Sequence, residues 1–415
     1  MNTIWPETRA KFLFKQLRRP CLETDGTVTA FRDGEVMLRS ERRESGFTEA
    51  VQYHGYQGVL IGDLVIHSMD GFAGAIGVSK SNGRMSPVAH IYRPRMDLDL
   101  PFYAYYLRHL ANVGYIQSLA KGIRERSTSF DPSTFAEVPL PVPPLAEQQR
   151  ISRYLDNQLA TLTKLISAKK KQIAQINEYR TEETERLVFS PDVLCTPSYI
   201  KNSSELADPF AITLPDTWTR NKFRYIASNA SRASGGKGDL LSVYLNEGVI
   251  PFSQGGEDRV HNPSEDMARY QIVKPGYLVM NNQQAWRGSV GVSAYQGIIS
   301  PAYHIYKLSN DFLPEFANLL FRSRPMVFLY EQVSRGVGNI QRNLDGSSLK
   351  NIPVVYPSIQ AQFTSVEEVA RISNSCASTI EVLDQSISRL EELKKSILTH
   401  VITGVLDVRA GKDFL

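Results

Sequence analysis

Cysteine is scarce: Cys21, Cys195 and Cys376 are three in 415 residues, odd in number and far apart. That argues against both a disulfide framework and a zinc site, and it suits a reducing compartment. No run of about 18 apolar residues is available to cross a membrane. The opening residues Met1 to Glu7 lack the basic-then-apolar pattern of a secretory signal, so a cytoplasmic location without a membrane partner is expected. An excess of one charge is missing as well. The 47 basic and 43 acidic residues leave +4, which suits a DNA binder or an ordinary protein equally. Hydrophobic residues at 42% and charged residues at 22% describe a globular chain, too long for one ordinary domain. Basic residues do cluster locally, at Arg39, Arg42 and Arg43 and at Lys121, Arg124 and Arg126.

Catalytic signatures are missing too. Ser234-Gly235-Gly236-Lys237-Gly238-Asp239 has neither the spacing nor the hydroxyl of a phosphate-binding loop and reads as a flexible turn. Gly71, Gly74 and Gly77 have the wrong spacing for a dinucleotide loop and read as a strand with close backbone approach. Asp216 after Pro215 has no properly spaced Glu-x-Lys after it, as a nuclease would need, and reads as a turn residue. An acidic-polar Pro-Pro-aromatic loop, which a methyltransferase would use to hold a flipped adenine, does not occur. The seven histidines are scattered, and His90 and His304 sit in apolar, strand-like runs where packing is the better reading. No catalytic residue and no metal ligand set is expected.

What the chain does contain is a repeat. Gly74-Ala75-Ile76-Gly77-Val78-Ser79 returns as Gly288-Ser289-Val290-Gly291-Val292-Ser293, displaced by 214 residues. Ser86-Pro87-Val88-Ala89-His90-Ile91-Tyr92 returns as Ser300-Pro301-Ala302-Tyr303-His304-Ile305-Tyr306 at the same displacement. So do Gly62, Gly122, Asp131 and Pro143, as Gly276, Gly336, Asp345 and Pro357, with no gap between. Six matches in one register mean one unit present twice, with only the loop-rich starts, roughly 1 to 55 and 215 to 265, diverging.

Each copy repeats an order of elements. Short Val-, Ile- and Tyr-rich runs broken by Gly, Asn and Ser read as strands. Helical spacing follows over Phe102 to Leu119 and Phe312 to Val333. Next come Val138 to Pro144 and Ile352 to Pro357, whose prolines exclude helix. The period then changes to a heptad seam. Leu159, Leu162, Ile166, Ile173 and Ile176 form it in the first copy, and Ile380, Leu383, Ile387, Leu390 and Ile397 in the second. A helix from Ile151 to Val188 spans about 57 Å, more than a small domain covers, and its flanks are polar, so the stripes fit a helix pair.

The run Pro141-Val142-Pro143-Pro144-Leu145-Ala146-Glu147-Gln148-Gln149-Arg150-Ile151, opening a long helix, resembles the conserved region of type I restriction-modification specificity subunits. Leu214-Pro215-Asp216-Thr217-Trp218 resembles the start of a target-recognition domain in that family, and Leu390 to Leu398 with Val401-Ile402-Thr403-Gly404 its C-terminal helix and stop. The second copy departs from the pattern: Ser358 replaces a proline and Ala361-Gln362-Phe363 replaces Glu147-Gln148-Gln149, which leaves Glu147 chiefly a support for the first helical turn. The resemblance implies an α/β (α+β) fold with two pseudo-repeated target-recognition domains separated by a long antiparallel two-helix coiled coil. Its divisions are recognition domains at 1–143 and 214–357, spacer helices at 144–190 and 358–415 and a linker at 191–213. It implies recognition of a bipartite, asymmetric site in double-stranded DNA, with no cofactor in this chain. Two modification (methyltransferase) subunits and restriction subunits would be the partners, carrying S-adenosylmethionine, ATP and Mg.

For sequence reading, Arg, Lys, Asn and Gln at base edges and cations at phosphates are required. The candidates in the first copy are Lys80, Arg84, Lys121, Arg124 and Arg126. In the second copy they are Asn282, Gln283, Gln284 and Arg287, in one amide-rich cluster with Asn281 and Trp286, and Arg335, Asn339, Gln341 and Arg342 after the repeated glycine. Two rivals stay open: a self-contained DNA methyltransferase with duplicated recognition domains, and a coiled-coil adaptor with no nucleic-acid role.

Overall fold

The computed structural model describes residues 5–42, 55–119, 129–190, 193–194, 207–210, 213–245, 247–255, 267–337 and 341–406. Two compact units divide the chain, Met1–Lys171 with Leu383–Leu415, and Gln172–Val382. Among the described residues no helix is long and apolar enough to cross a membrane.

In the first unit, Gly62 turns the chain at a φ of 83°, a conformation that costs a residue without Cβ nothing, and Leu64–His67 follows as a buried strand. It lies in a four-stranded antiparallel sheet whose spatial order is Phe14–Leu17, Ala89–Pro94, Leu64–His67, Ile76–Val78. The helix Leu100–Asn112 buries Phe102, Tyr103, Tyr106 and Leu107 in the core shared with this sheet. Asp99 starts that helix by accepting a hydrogen bond from the Phe102 N–H at 3.0 Å. The continuous stretch expected to Leu119 is broken after Asn112, where Gly114 takes a φ of 77°, and Tyr115–Leu119 forms a separate helix. Pro139–Pro141 pairs antiparallel with Glu7–Arg9, so the proline segment is an edge strand, the one sheet position where a missing N–H is tolerated.

The second unit repeats this sheet with strands Ala227–Asn229, Tyr303–Leu308, Tyr277–Asn281 and Val290–Val292 in the same order. The pairing register repeats as well, since Ile66 faces His90 and Met280 faces His304. The divergent starts are not free loops. Both carry a short helix, Ala10–Leu13 and Phe223–Ile226, and both carry a two-stranded pairing, Val28–Ala30 with Val36–Leu38 and Leu241–Tyr244 with Gly248–Pro251. The stretch expected over Phe312 to Val333 is two helices, Pro314–Arg322 and Arg324–Gln332, because Ser323 is extended just ahead of Pro325 in the first turn of the second. Gly71, Gly74 and Gly77 divide their roles. Gly77 is a strand residue at which a Cβ would lie 2.0 Å from the Gly34 carbonyl oxygen, whereas Gly74, at a φ of 93°, ends the 3-10 turn Gly71–Ala73.

Two helical rods, Leu145–Val188 and Ile359–Ile402, are 44 residues each, about 66 Å at 1.5 Å per residue. The first starts six residues before the expected Ile151, directly after Pro144. In the first unit, Ile151, Leu155, Leu159 and Leu162 from its beginning share a core with Ile397, Leu398, Val401 and Ile402 from the end of the second rod, so the two segments run antiparallel. In the second unit, Val188 from the end of the first rod shares a core with Val366 near the beginning of the second. Along the seam Ile166 is buried, and Ile173, Ile176, Ile380, Leu383, Ile387 and Leu390 are half-buried. That is the burial pattern of a narrow stripe.

Each rod is joined to its own domain by a buried glutamine. In the first unit the Gln148 amide donates to the Pro143 carbonyl at 2.8 Å and accepts from the Asp99 N–H at 2.9 Å. In the second, Gln362 donates to the Pro357 carbonyl at 2.9 Å and to the Asp311 carbonyl at 2.8 Å, and accepts from the Leu313 N–H at 2.9 Å. The residue kept between Glu147-Gln148-Gln149 and Ala361-Gln362-Phe363 is thus the one that holds rod, proline strand and helix start together. Replacing Gln362 with methionine keeps the volume but strands three backbone groups, and is expected to cost about 2–4 kcal/mol. Urea denaturation of the full chain measures this, and a midpoint equal to that of the unchanged protein would refute the joint.

Candidate nucleic-acid interface

In the second unit the strand Tyr277–Asn281 runs out into the amide-rich segment, and the chain turns back through the 3-10 turn Ala285–Arg287, which Gly288 ends at a φ of 96°. Local hydrogen bonds set this turn. The Asn281 side chain accepts from the Gln283 N–H at 2.9 Å, and the Trp286 indole N–H donates to the Gln283 carbonyl at 2.9 Å. So placed, the Trp286 ring has the Arg287 guanidinium 4.7 Å from its centroid and the Arg342 guanidinium also at 4.7 Å. Both distances are within the range of cation–π attraction. Arg342 comes from the hairpin of Ser334–Val337 with Gln341–Leu344, and it also pairs with Glu331 at 3.0 Å. The two segments that stood apart in sequence, the amide-rich cluster and the stretch after the repeated glycine, therefore form one surface.

Two braces hold that surface. The Leu344 N–H donates to the Asn282 carbonyl at 2.9 Å and lies 3.1 Å from its side-chain oxygen, which also receives His304 Nε2 at 3.2 Å. Burial pushes the His304 imidazole down from its ordinary pKa, so the ring is neutral and donates here as an N–H. Asn282, a contact candidate in the sequence, is thus a brace of this turn. The second brace is Asp345, whose carboxylate accepts from the Ser347 hydroxyl at 2.8 Å, the Ser348 hydroxyl at 2.8 Å and the Ser347 N–H at 3.1 Å, and pairs with Arg335 at 2.9 Å. Those hydrogen bonds, with the Arg335 charge added, pull its pKa down to about 2.

The first unit holds the equivalent turn in the same way, with the Phe130 N–H donating to the Ser68 carbonyl at 2.9 Å, but its side chains differ. Phe72 stands where the second copy has Trp286 and Ala73 where it has Arg287. Arg32 pairs with Asp70 at 2.8 Å, and the Asp70 N–H donates to His67 Nδ1 at 3.1 Å. Lys80 is exposed and pairs with Glu35 at 2.6 Å. Arg84 corrects the sequence reading: it is buried, donates to Thr27 Oγ1 at 3.3 Å and to the Glu23 carbonyl, and belongs to the fold. Lys121, Arg124, Arg126 and Asn339 lie outside the described residues, and so do Arg43 and Cys195. Gln341 lies in a hairpin strand, Gln283 is exposed and Gln284 half-buried. Among the described residues no group of three or more His, Cys, Asp or Glu could hold a metal ion. The sequence places Trp286 in the amide-rich cluster beside Arg287 but gives no sign of its contact with Arg342, which makes the ring a platform between two cations.

Comparison with known proteins places these features in a family context. Residues 63–175 match the model of the type I restriction modification DNA specificity domain. The type I restriction enzyme MjaVIII specificity subunit of Methanocaldococcus jannaschii is 23% identical over 67% of this chain, and the chain spans 64% of that relative's length. The putative type I restriction enzyme MjaX specificity subunit of the same organism is 22% identical over 85% of this chain and 80% of its own length. A solved chain from work on complex assembly and conformational transition of the type I R-M system shares the fold at a TM-score of 0.66 and 12% identity, over 97% of this chain and 98% of that one.

Because the Asp345 pKa is depressed, its bracing is complete above the ordinary carboxylate range and is lost as pH falls toward about 2. Asp345→Asn reproduces the acid form at neutral pH and is expected to speed amide exchange at Ser347 and Leu349. Exchange unchanged at both sites would show that the carboxylate braces nothing.

Proposed function

From the match of residues 63–175 to the type I restriction modification DNA specificity domain, we propose that the chain is a specificity subunit of that kind and reads a bipartite site in double-stranded DNA, one half with each unit. One observation carries this reading. The two units share sheet order, pairing register and turn brace, yet present different side chains on the turn so held: Ser68, Asp70, Phe72 and Ala73 in one, Asn282, Gln284, Trp286 and Arg287 in the other. A common scaffold with dissimilar faces is what two unlike half-sites require.

In the second unit the Arg287 and Arg342 guanidiniums lie against the Trp286 ring, each 4.7 Å from its centroid, and Gln283 in the same turn is exposed. Arginine so oriented suits the acceptor pair on a guanine edge or a backbone phosphate, and glutamine suits adenine. In the first unit the cation candidates are Lys80 and, outside the described residues, Lys121, Arg124 and Arg126. The rods set the interval between half-sites and dock the modification subunits. The chain itself carries no catalytic group, and S-adenosylmethionine, ATP and Mg act in the partner subunits.

Footprinting with the modification subunits tests this, two protected base clusters being the expected pattern. Trp286→Ala removes the platform and is expected to weaken binding about 10- to 100-fold through one half-site while the other keeps its specificity. Methylation by the chain alone would support a self-contained enzyme, and the absence of salt-dependent DNA affinity would support an adaptor. The rods give a separate expectation. Deleting one heptad from each removes about 10 Å, or about three base pairs of interval, without altering either half-site. A change in the bases recognised would remove the rods from the spacer role.

A further inference from the structure

The internal repeat supplies a built-in comparison for one cavity. In the first unit Arg108 lies against Gly34 in a cavity of about 280 Å³ that Asp33, Glu35 and Asp156 also line. Three carboxylates thus line it with two cations, Arg108 and Lys80, so the positive charge is fully offset. Its counterpart in the second unit is Arg322, displaced by 214 residues and set against Gly248 as Arg108 is set against Gly34. There the balance is gone. Glu247 replaces Asp33, but Val249 stands for Glu35, Ala370 for Asp156, and Arg287 for Ala73.

The second cavity is larger, about 520 Å³, and is lined by Arg180, Arg287, Arg322 and Arg324 with a single carboxylate, Glu185. That carboxylate is committed, since Glu185 accepts from the Arg324 side chain at 3.1 Å and from its backbone N–H at 2.9 Å. The Nε of Arg322 is buried without a hydrogen-bond partner among the described residues. Glu247 attracts Arg322 electrostatically without forming an ion pair with it. A buried guanidinium N–H left unsatisfied is costly, and a concave site with surplus cations is where an anion offsets that cost. Asn318 lines the cavity as well; its side-chain oxygen accepts from the Val292 N–H at 3.0 Å, which leaves its amide NH2 as an uncharged donor.

We propose that this cavity is a phosphate-binding site, in which Arg180 from the rod joins Arg287 and Arg322 from the recognition domain to hold a phosphate group. Arginine suits phosphate because its planar N–H pair matches two oxygens at once, and 520 Å³ lies in the range of small-molecule sites. The phosphate comes from the DNA backbone or from a free phosphorylated anion. The site goes beyond the DNA-reading proposal and stands without it, because a free anion uses the same three guanidiniums.

Calorimetric titration of the full chain with inorganic pyrophosphate at low salt is the test. Saturable 1:1 binding is expected, weakened at least about tenfold in Arg180→Gln and further in Arg180→Gln combined with Arg322→Gln. Ala370→Asp returns to an exposed rod position the carboxylate of the first copy, and it is expected to weaken pyrophosphate without touching the arginines. Thermal melting without pyrophosphate separates a lost site from a lost fold. Displacement of pyrophosphate by duplex DNA, together with a salt slope smaller by about 1 in Arg180→Gln, identifies the backbone as the source. Binding indifferent to DNA identifies a free anion. Absence of saturable binding, or equal affinity in folded variants, overturns the proposal, and neither result depends on whether the chain reads a DNA sequence.

Discussion

The buried amides of Gln148 and Gln362 are the constraint on which the rest depends. A helix start leaves N–H groups without partners, and a proline strand leaves carbonyls without a neighbouring donor. In each unit one side chain on the first turn of a rod closes both deficits, reaching the N–H at the start of a domain helix and the carbonyl at the end of the proline strand. The direction in which a rod leaves its sheet is thereby tied to the same strand pairing that closes the domain, Glu7–Arg9 with Pro139–Pro141 and Trp218–Lys222 with Pro353–Pro357. Without that tie, a rod packed by a narrow apolar stripe could rotate about its own axis at little cost.

What could be read in advance divides along a physical line. Period and proline are properties of neighbouring residues, so the rods, the extended proline segments and the repeat were legible. The rod seam was legible for the same reason, since Leu159, Leu162, Ile166 and Ile397 needed only heptad spacing to be recognised as buried. Helix breaks were half legible: Gly114 and Pro325 were visible, but their effect depends on whether tertiary packing carries the chain through, and here it does not. Arg84 was illegible, because its burial rests on Thr27 and the Glu23 carbonyl, some sixty residues away in sequence. Gln362 was hidden by the exchange of Glu147 for Ala361 beside it, which drew attention to the residue that varies and away from the amide that is retained.

The recognition surface shows the same division. Each of its segments was visible as polar and divergent, but their meeting was not, because the contact between Trp286 and Arg342 spans a sheet, two helices and a hairpin. The brace that brings them together is a backbone hydrogen bond, Leu344 to Asn282 in one unit and Phe130 to Ser68 in the other. A backbone bond makes no demand on side-chain identity. The scaffold can therefore be kept while the side chains it displays are exchanged, which is how two copies of one fold come to present different faces on the same turn.

That logic extends to the two arginine cavities. Arg108 and Arg322 occupy the same place against a glycine with positive φ, so a guanidinium stands there in both units. What the fold does not fix is the counter-charge. In the first unit carboxylates from the same chain supply it, and burial alone would otherwise press the Arg108 pKa down further than Asp33, Glu35 and Tyr105 allow. In the second unit two of those carboxylates have become Val249 and Ala370, neither of which can balance a charge. A charge balanced from within makes a closed structural site, and a charge left for an external anion makes a binding site. A duplicated domain can move from one to the other by losing acids at its rim while leaving its core sheet untouched.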